Sequence, residues 1–176
     1  MDSDTLRGRQ WPLKQLYREQ PGAGTIKLSA SGVVGGEGVS CSVQTGQALV
    51  AAGLHPATGG DGTLACSGDL LLQALVACAG VTLAAVATNR GLAVAGTIRA
   101  EGELDVRGTL GVDPEAPVGF RFIRLSFELD TDADPQAVAG LIATTEKYCV
   151  VLQTLRSALH VETVLDRPPV PSPACP

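Results

Sequence analysis

The sequence predicts an antiparallel α+β fold, and three observations carry that expectation. Segments that alternate apolar and polar residues fall in groups before and after the helical segments, instead of alternating with them as in a parallel β-α-β fold. One helical segment, "DLLLQALVACAGVTLAAVATNRG" at residues 69–91, is the most hydrophobic stretch of the chain. The composition, 45% hydrophobic and 18% charged over 176 residues, is that of one globular domain with a real core. Aromatic residues are only 3%, so Leu, Val and Ala must build that core.

Each element follows from a local pattern. Residues 1–11 are polar and read as a mobile lead. "PLKQLYREQP" reads as a short surface helix, opened by Pro12 in a first-turn position and closed before Pro21, with Leu13, Leu16 and Tyr17 at helical spacing. "GTIKLSASGV" and "GVSCSVQTG" alternate with period two, and the Gly-rich "VVGGEG" between them makes a hairpin. "QALVAAGLH" extends it as a third strand. The small-residue loop "HPATGGDGTLACSG" then delivers the chain to the long helix. Ser67 suits its cap, Asp69 its first turn, and Gly91 its termination after Arg90.

"LAVAGTIRAEGELDVRG" and "GFRFIRLSFELD" read as two longer strands joined by "VDPEAPVG", the second changing its alternation near Leu125. "DADPQAVAGLIATTEKY" is a helix with Pro135 in its first turn and Val138, Leu141 and Ile142 on one face. "CVVLQTLRS" follows as a short helix, "HVETVLD" as a last strand, and "RPPVPSPACP" as an extended tail. The chain thus divides into an N-terminal arm at 1–23, a domain at 24–166 and a tail at 167–176.

Charge excludes one class of partner. The net charge is −5 and the 13 basic residues are scattered, so no basic stripe exists for nucleic acid. Residues 70–87, about 18 of them, approach the length of a bilayer span. Gln73, Gly80, Thr82, the many alanines and the lack of a second such segment point to a core helix instead, with no membrane partner. "MDSDTLRGRQWPL" has no apolar signal region, so the expected location is cytoplasmic. A helix apolar on every face must be covered on every face, by sheet, helix or a second subunit. "VVGGEG" joins two strands and precedes no helix, so it is not a phosphate loop.

Five cysteines, Cys41, Cys66, Cys78, Cys149 and Cys175, stand at irregular spacing with no C-x-x-C, and the only histidines are His55 and His160. Neither a disulfide framework nor a metal site is indicated. The thiols are therefore fillers or reactive groups. Cys149 stands at a helix start, where backbone N–H groups favour a thiolate. Cys78 lies mid-helix, where burial raises a thiol pKa, so a reactive Cys78 requires a nearby cation or hydrogen-bond donor. Cys66 reads as filler, His55 as a loop-stabilising group and His160 as structural; Cys41 and Cys175 have no assigned role.

"SGDLLLQALVACAGVTL", which carries Cys78, and "EKYCVVLQTL", which carries Cys149, resemble the paired cysteine motifs of the OsmC/Ohr family, named for osmotic induction and organic hydroperoxide resistance. The resemblance covers roughly residues 24–165. It implies an OsmC-like fold, with antiparallel sheets wrapped around long central helices in an intertwined homodimer. It further implies that Cys78 attacks the peroxide and Cys149 resolves the sulfenic acid into an intramolecular disulfide. No cofactor is bound; a dithiol reductant, for many members a lipoyl group on a carrier protein, restores the thiols.

Family peroxidases commonly activate the thiol with an arginine from the first hairpin, held by a glutamate just before the cysteine helix. The turn "GVVGGEG" has no arginine. Arg18 is the expected substitute, oriented by Asp69, with Arg121 and Arg124 behind it. The expected function is a thiol-dependent peroxidase for organic hydroperoxides. The missing hairpin arginine keeps an alternative open, a non-catalytic or thiol-sensing OsmC-like protein that binds a hydrophobic small molecule. A cysteine hydrolase ranks third, for want of a histidine base in a supporting motif.

Overall fold

The computed structural model describes residues 3–34, 41–43 and 52–164. Its elements run α1 (Ser3–Glu19), β1 (Thr25–Val34), β2 (Cys41–Val43), β3 (Ala52–Gly53), β4 (Ala65–Cys66), α2 (Ser67–Asn89), β5 (Ala95–Asp105), α3 (Val106–Thr109), β6 (Phe120–Asp130), α4 (Pro135–Tyr148) and α5 (Val150–Arg156). Four strands form one antiparallel sheet in the order β2-β1-β5-β6. Helix and antiparallel sheet are segregated, as the period-two and helical stretches require.

α2 is the centre of the core. It is the one helix among the described residues long and apolar enough to cross a membrane by length and composition. Here it lies against the sheet, with Leu72, Leu75, Val76, Ala79, Leu83 and Ala87 buried together with Ile98 and Ala100 of β5, Leu141 of α4 and Leu152 of α5. Each such leucine removes apolar surface from water worth about 2 kcal/mol. The opposite side is uncovered: Leu71 is 37% and Val81 43% exposed. Leu71, Ala74, Cys78 and Val81 follow a three-four spacing, the period of a helix-to-helix seam.

The ends of α2 follow its sequence. Gly91 stands at φ +66°, Leu92 N–H bonds the Ala87 carbonyl at 2.9 Å and Gly91 N–H the Thr88 carbonyl at 3.1 Å, which together close the helix in a Schellman turn. Its first boundary residue is Cys66, without a side-chain cap, and Ser67 is already helical. The cap falls one residue before the one expected. α4 has Asp134 as cap, its carboxylate accepting the Ala137 N–H at 2.9 Å, and Pro135 opens the helix as its fixed φ favours.

Four expectations are corrected. Residues 3–11 are helical: α1 runs through Pro12, where one helical hydrogen bond is lost. Packing outweighs that loss, because Tyr17 is 3% exposed, joins Val106 and Leu110 in a second small core, and donates its hydroxyl to the Ala57 carbonyl at 2.7 Å. The arm is thus docked on the domain. The expected third strand lies largely outside the described residues; its described part, Ala52–Gly53, pairs in parallel with β4 in a separate two-stranded sheet. Residues 160–164, the described part of the expected last strand, form no strand, and among the described residues no strand pairs with them. The register of β6 with β5 runs unbroken past Leu125, where the change was expected; the irregularity is a bulge nearer the start of β6, where Glu103 faces Phe122 and Leu104 faces Phe120, so Arg121 is the extra residue. The bulge turns Phe120 inward over Gly102, where a side chain would collide with its ring. The hairpin turn and the proline-rich tail lie outside the described residues.

Candidate functional site

The site is the meeting point of α2 with the junction between α4 and α5. Cys149 is at once the last boundary residue of α4 and the first of α5. Its N–H bonds the Thr145 carbonyl at 2.9 Å, and its carbonyl accepts the Gln153 N–H at 2.9 Å. The backbone is therefore fixed on both sides, and the residue is 0% exposed. This junction comes to rest on the fourth turn of α2, beside the half-buried Cys78.

The two thiols lie in one cluster and each bears on the other's ionisation. Burial pushes the Cys78 thiol up, but the backbone N–H of Val151, the Cys149 thiol, the Val150 N–H and the Thr82 hydroxyl all favour its thiolate, and the balance falls below the ordinary thiol value. The first free amides of α5 thus supply what the mid-helix position of Cys78 demanded. Thr82 donates to the Cys78 carbonyl at 2.7 Å and lies beside the sulfur as well. Cys149 behaves in the opposite way. Burial pushes its thiol up, contacts with the Leu152 and Val151 amides oppose this, and the hydrogen bond and charge of Cys78 add to it, leaving Cys149 at about 11. The expectation that the helix start makes Cys149 a thiolate is thereby corrected: full burial beside Cys78 outweighs the amides.

The structure does not bring the other two candidates to this pair. The Arg18 guanidinium lies over the Trp11 ring, 6.0 Å from its centroid, at the end of α1. Asp69 is raised by burial, with His55 as the opposing neighbour, and among the described residues no ion pair joins it to Arg18. His55 caps a 3-10 turn, its Nδ1 accepting the Ala57 N–H at 3.0 Å. Arg121 stands 4.0 Å from Glu103, and Arg124 over Phe122, 5.6 Å from the ring centroid. Cys66 precedes Cys78 by about 18 Å of continuous helix. No disulfide can span that distance.

The residues that sequence reasoning missed are Thr82, Val150 and Val151. Thr82 is one helical turn after Cys78 and could have been found by spacing. The two valines act through backbone N–H groups, for which the side chain gives no signal. Leu75, Leu152 and Arg156 help to line a groove of about 340 Å³, closed on the sheet side by Phe120, Ile123 and Leu125; neither thiol is in its lining. Among the described residues no cluster of His, Cys, Asp or Glu could hold a metal ion. The arrangement is suited to two-thiol chemistry: Cys78 is favoured as the thiolate and Cys149, in the same cluster, as the thiol.

Residues 60–164, more than half of the chain and including both cysteines, match the family model for OsmC-like proteins. The fold is similar to the crystal structure of an OsmC-like hydroperoxide resistance protein from Jannaschia sp. CCS1, with a TM-score of 0.52 and 17% identity, over 85% of this chain and 97% of that one. No curated relative matches the chain.

Proposed function

The chain belongs to the OsmC-like family, and from that premise we propose that it is a thiol-dependent peroxidase for organic hydroperoxides. One observation carries the reading: the fold brings two free cysteines into one cluster, with Cys78 half-buried against the core that holds the buried Cys149. A thiolate attacks the terminal oxygen of a hydroperoxide, leaving a sulfenic acid on Cys78 and releasing the alcohol. Cys149 is within reach to close the disulfide before further oxidation. The hydroperoxide resistance named for the structural neighbour supports the same chemistry at the level of the family. An external dithiol, such as a lipoyl group on a carrier protein, then returns both thiols, and the cytoplasm is the compartment where such a pool is maintained.

The working form in this proposal is a homodimer with intertwined chains. The uncovered seam of α2, Leu71, Ala74 and Val81, lies on the side of Cys78, and Val150 beside the site is 70% exposed. A second copy laid there would cover the seam and shield the thiol. Val81→Asp is expected to convert a dimer to monomer in sedimentation; a wild type that sediments as a folded monomer at micromolar concentration refutes the dimer. The second reading, a binder of a hydrophobic small molecule, rests on the groove lined by Leu75, Phe120 and Leu152. Stopped-flow mixing with an alkyl hydroperoxide separates the two: the peroxidase loses two thiols per chain in a fast reaction, and the binder loses none.

A further inference from the structure

The first helix carries a charge opposite to that of the rest of the chain. Four of the 13 basic residues, Arg7, Arg9, Lys14 and Arg18, fall within Ser3–Glu19, against two of the 18 acidic ones, Asp4 and Glu19. Outside α1 the acidic residues are in clear excess, as the net charge of −5 requires. We propose that α1 is an interfacial helix that docks the protein on an anionic lipid surface, with Trp11 as its anchor and Lys14 and Arg18 as its contacts to lipid phosphate.

The helix is presented on a fixed platform. Tyr17 is buried with Val106 and Leu110, Leu13 packs beside them, and the Tyr17 hydroxyl is held by the Ala57 carbonyl. That side of α1 belongs to the domain. A second line of the same helix does not: Arg7, Trp11, Lys14 and Arg18 follow a four-three-four spacing, which sets them along one side over about 16 Å of its length. Trp11 is 60% exposed near the middle of that line, and the Arg18 guanidinium lies over its ring. Among the described residues none of Arg9, Lys14 and Arg18 takes part in an ion pair, so their charge is not spent within the fold.

This composition fits a lipid headgroup layer. An indole settles at that depth, with its ring toward the acyl chains and its N–H toward water, and Lys and Arg beside it meet phosphate, Arg with two parallel hydrogen bonds. An acidic protein surface would match the cations but would also need a pocket for one protruding indole. The sequence argument against a membrane partner concerned α2 as a spanning helix. α1 lies along the surface of the domain and reaches a bilayer without leaving it. The acidic remainder of the chain is repelled by the same surface, which makes the contact shallow, reversible and sensitive to salt. The proposal is independent of the thiols; joined to the peroxidase reading, it brings the site to where oxidised acyl chains form.

The test uses the full chain with vesicles of phosphatidylglycerol and phosphatidylcholine in equal parts, and with vesicles of phosphatidylcholine alone. Trp11 is the only tryptophan of the chain, so its emission reports on this contact directly. The expected result is a blue shift with the anionic vesicles, quenching by brominated acyl chains, no response to phosphatidylcholine alone, and release at high salt. In co-sedimentation, Trp11→Ala is expected to lower partitioning at least about tenfold, as for loss of a buried aromatic, while Trp11→Phe keeps most of it. Arg18→Gln should lower it about fivefold, the weight of one basic residue at such a surface. Thermal unfolding at the wild-type temperature shows that each variant is folded. Unchanged Trp11 emission with the anionic vesicles overturns the proposal, as does vesicle binding in which Trp11 is not quenched. A shift produced by poly-L-glutamate but not by the vesicles overturns it in favour of an acidic protein partner.

Discussion

The backbone N–H of Val151, at the start of α5, favours the thiolate of Cys78 in the middle of α2. An amide cannot be titrated or screened like an arginine, and its preference for the thiolate persists at high salt. The consequence is a pH profile. Because the folded value of Cys78 lies below the ordinary thiol range, its alkylation rate is expected to rise with pH and reach a plateau before a free cysteine in a denatured control does. A plateau at or above the pH of the control contradicts this role of the amide.

Thr82 offers a side chain for the same test. Thr82→Val removes the hydroxyl at nearly constant shape, and the expected effect on Cys78 alkylation at pH 7 is a two- to threefold loss, the size of one weak donor of about 0.5 kcal/mol. Thr82→Ser should retain the wild-type rate. A loss in both variants would point to packing instead of hydrogen bonding.

Arg18 separates the observed geometry from the family pattern. With its guanidinium over Trp11 at the end of α1, away from the groups around Cys78, Arg18→Ala is expected to change Cys78 alkylation by less than about twofold, a small part of the tenfold that one pKa unit represents. A tenfold slowing would show that the arginine reaches the thiol in the assembled protein.

Acid stability depends on a different group. Asp105 is 1% exposed and caps α3, and Arg107 donates to it from its backbone N–H at 3.1 Å, from Nε at 3.0 Å and from Nη2 at 2.6 Å. The Arg107 hydrogen bonds outweigh burial and hold the carboxyl below the usual carboxylate range. A depressed folded value contributes stability above the unfolded value, near about 3.9, that is lost as pH falls through the folded one. Urea unfolding of wild type and Asp105→Asn should therefore differ at pH 7 and converge toward pH 3. A constant difference across that range would remove Asp105 from the acid response.

Much of this was legible in the sequence, for physical reasons that also explain what was not. β5, β6, α2 and α4 are long and strongly periodic, and Asp134, Pro135 and Gly91 mark ends by local chemistry alone. The pairing of Cys78 with Cys149 was legible through the two motifs. α1 was underestimated because its stability comes from docking Tyr17, a tertiary effect that overrides a polar lead and an internal proline. "HVETVLD" has the alternation of a strand, but a strand needs a partner, and residues 160–164 have none among the described residues. The activation of Cys78 was sought in arginines because side chains are what a sequence displays. The donors of Val150 and Val151 are main-chain groups, and only the fold aims them.

The most direct measurement of the central claim is peptide mass spectrometry of the reduced protein after one equivalent of an alkyl hydroperoxide, with quantification of the alcohol released. The account predicts one disulfide, Cys78 to Cys149, and one alcohol per chain, with Cys149→Ser stalling at a sulfenic or sulfinic acid on Cys78. Intact thiols on both residues after peroxide exposure, or oxidation that begins on Cys149 while Cys78 stays reduced, would contradict it.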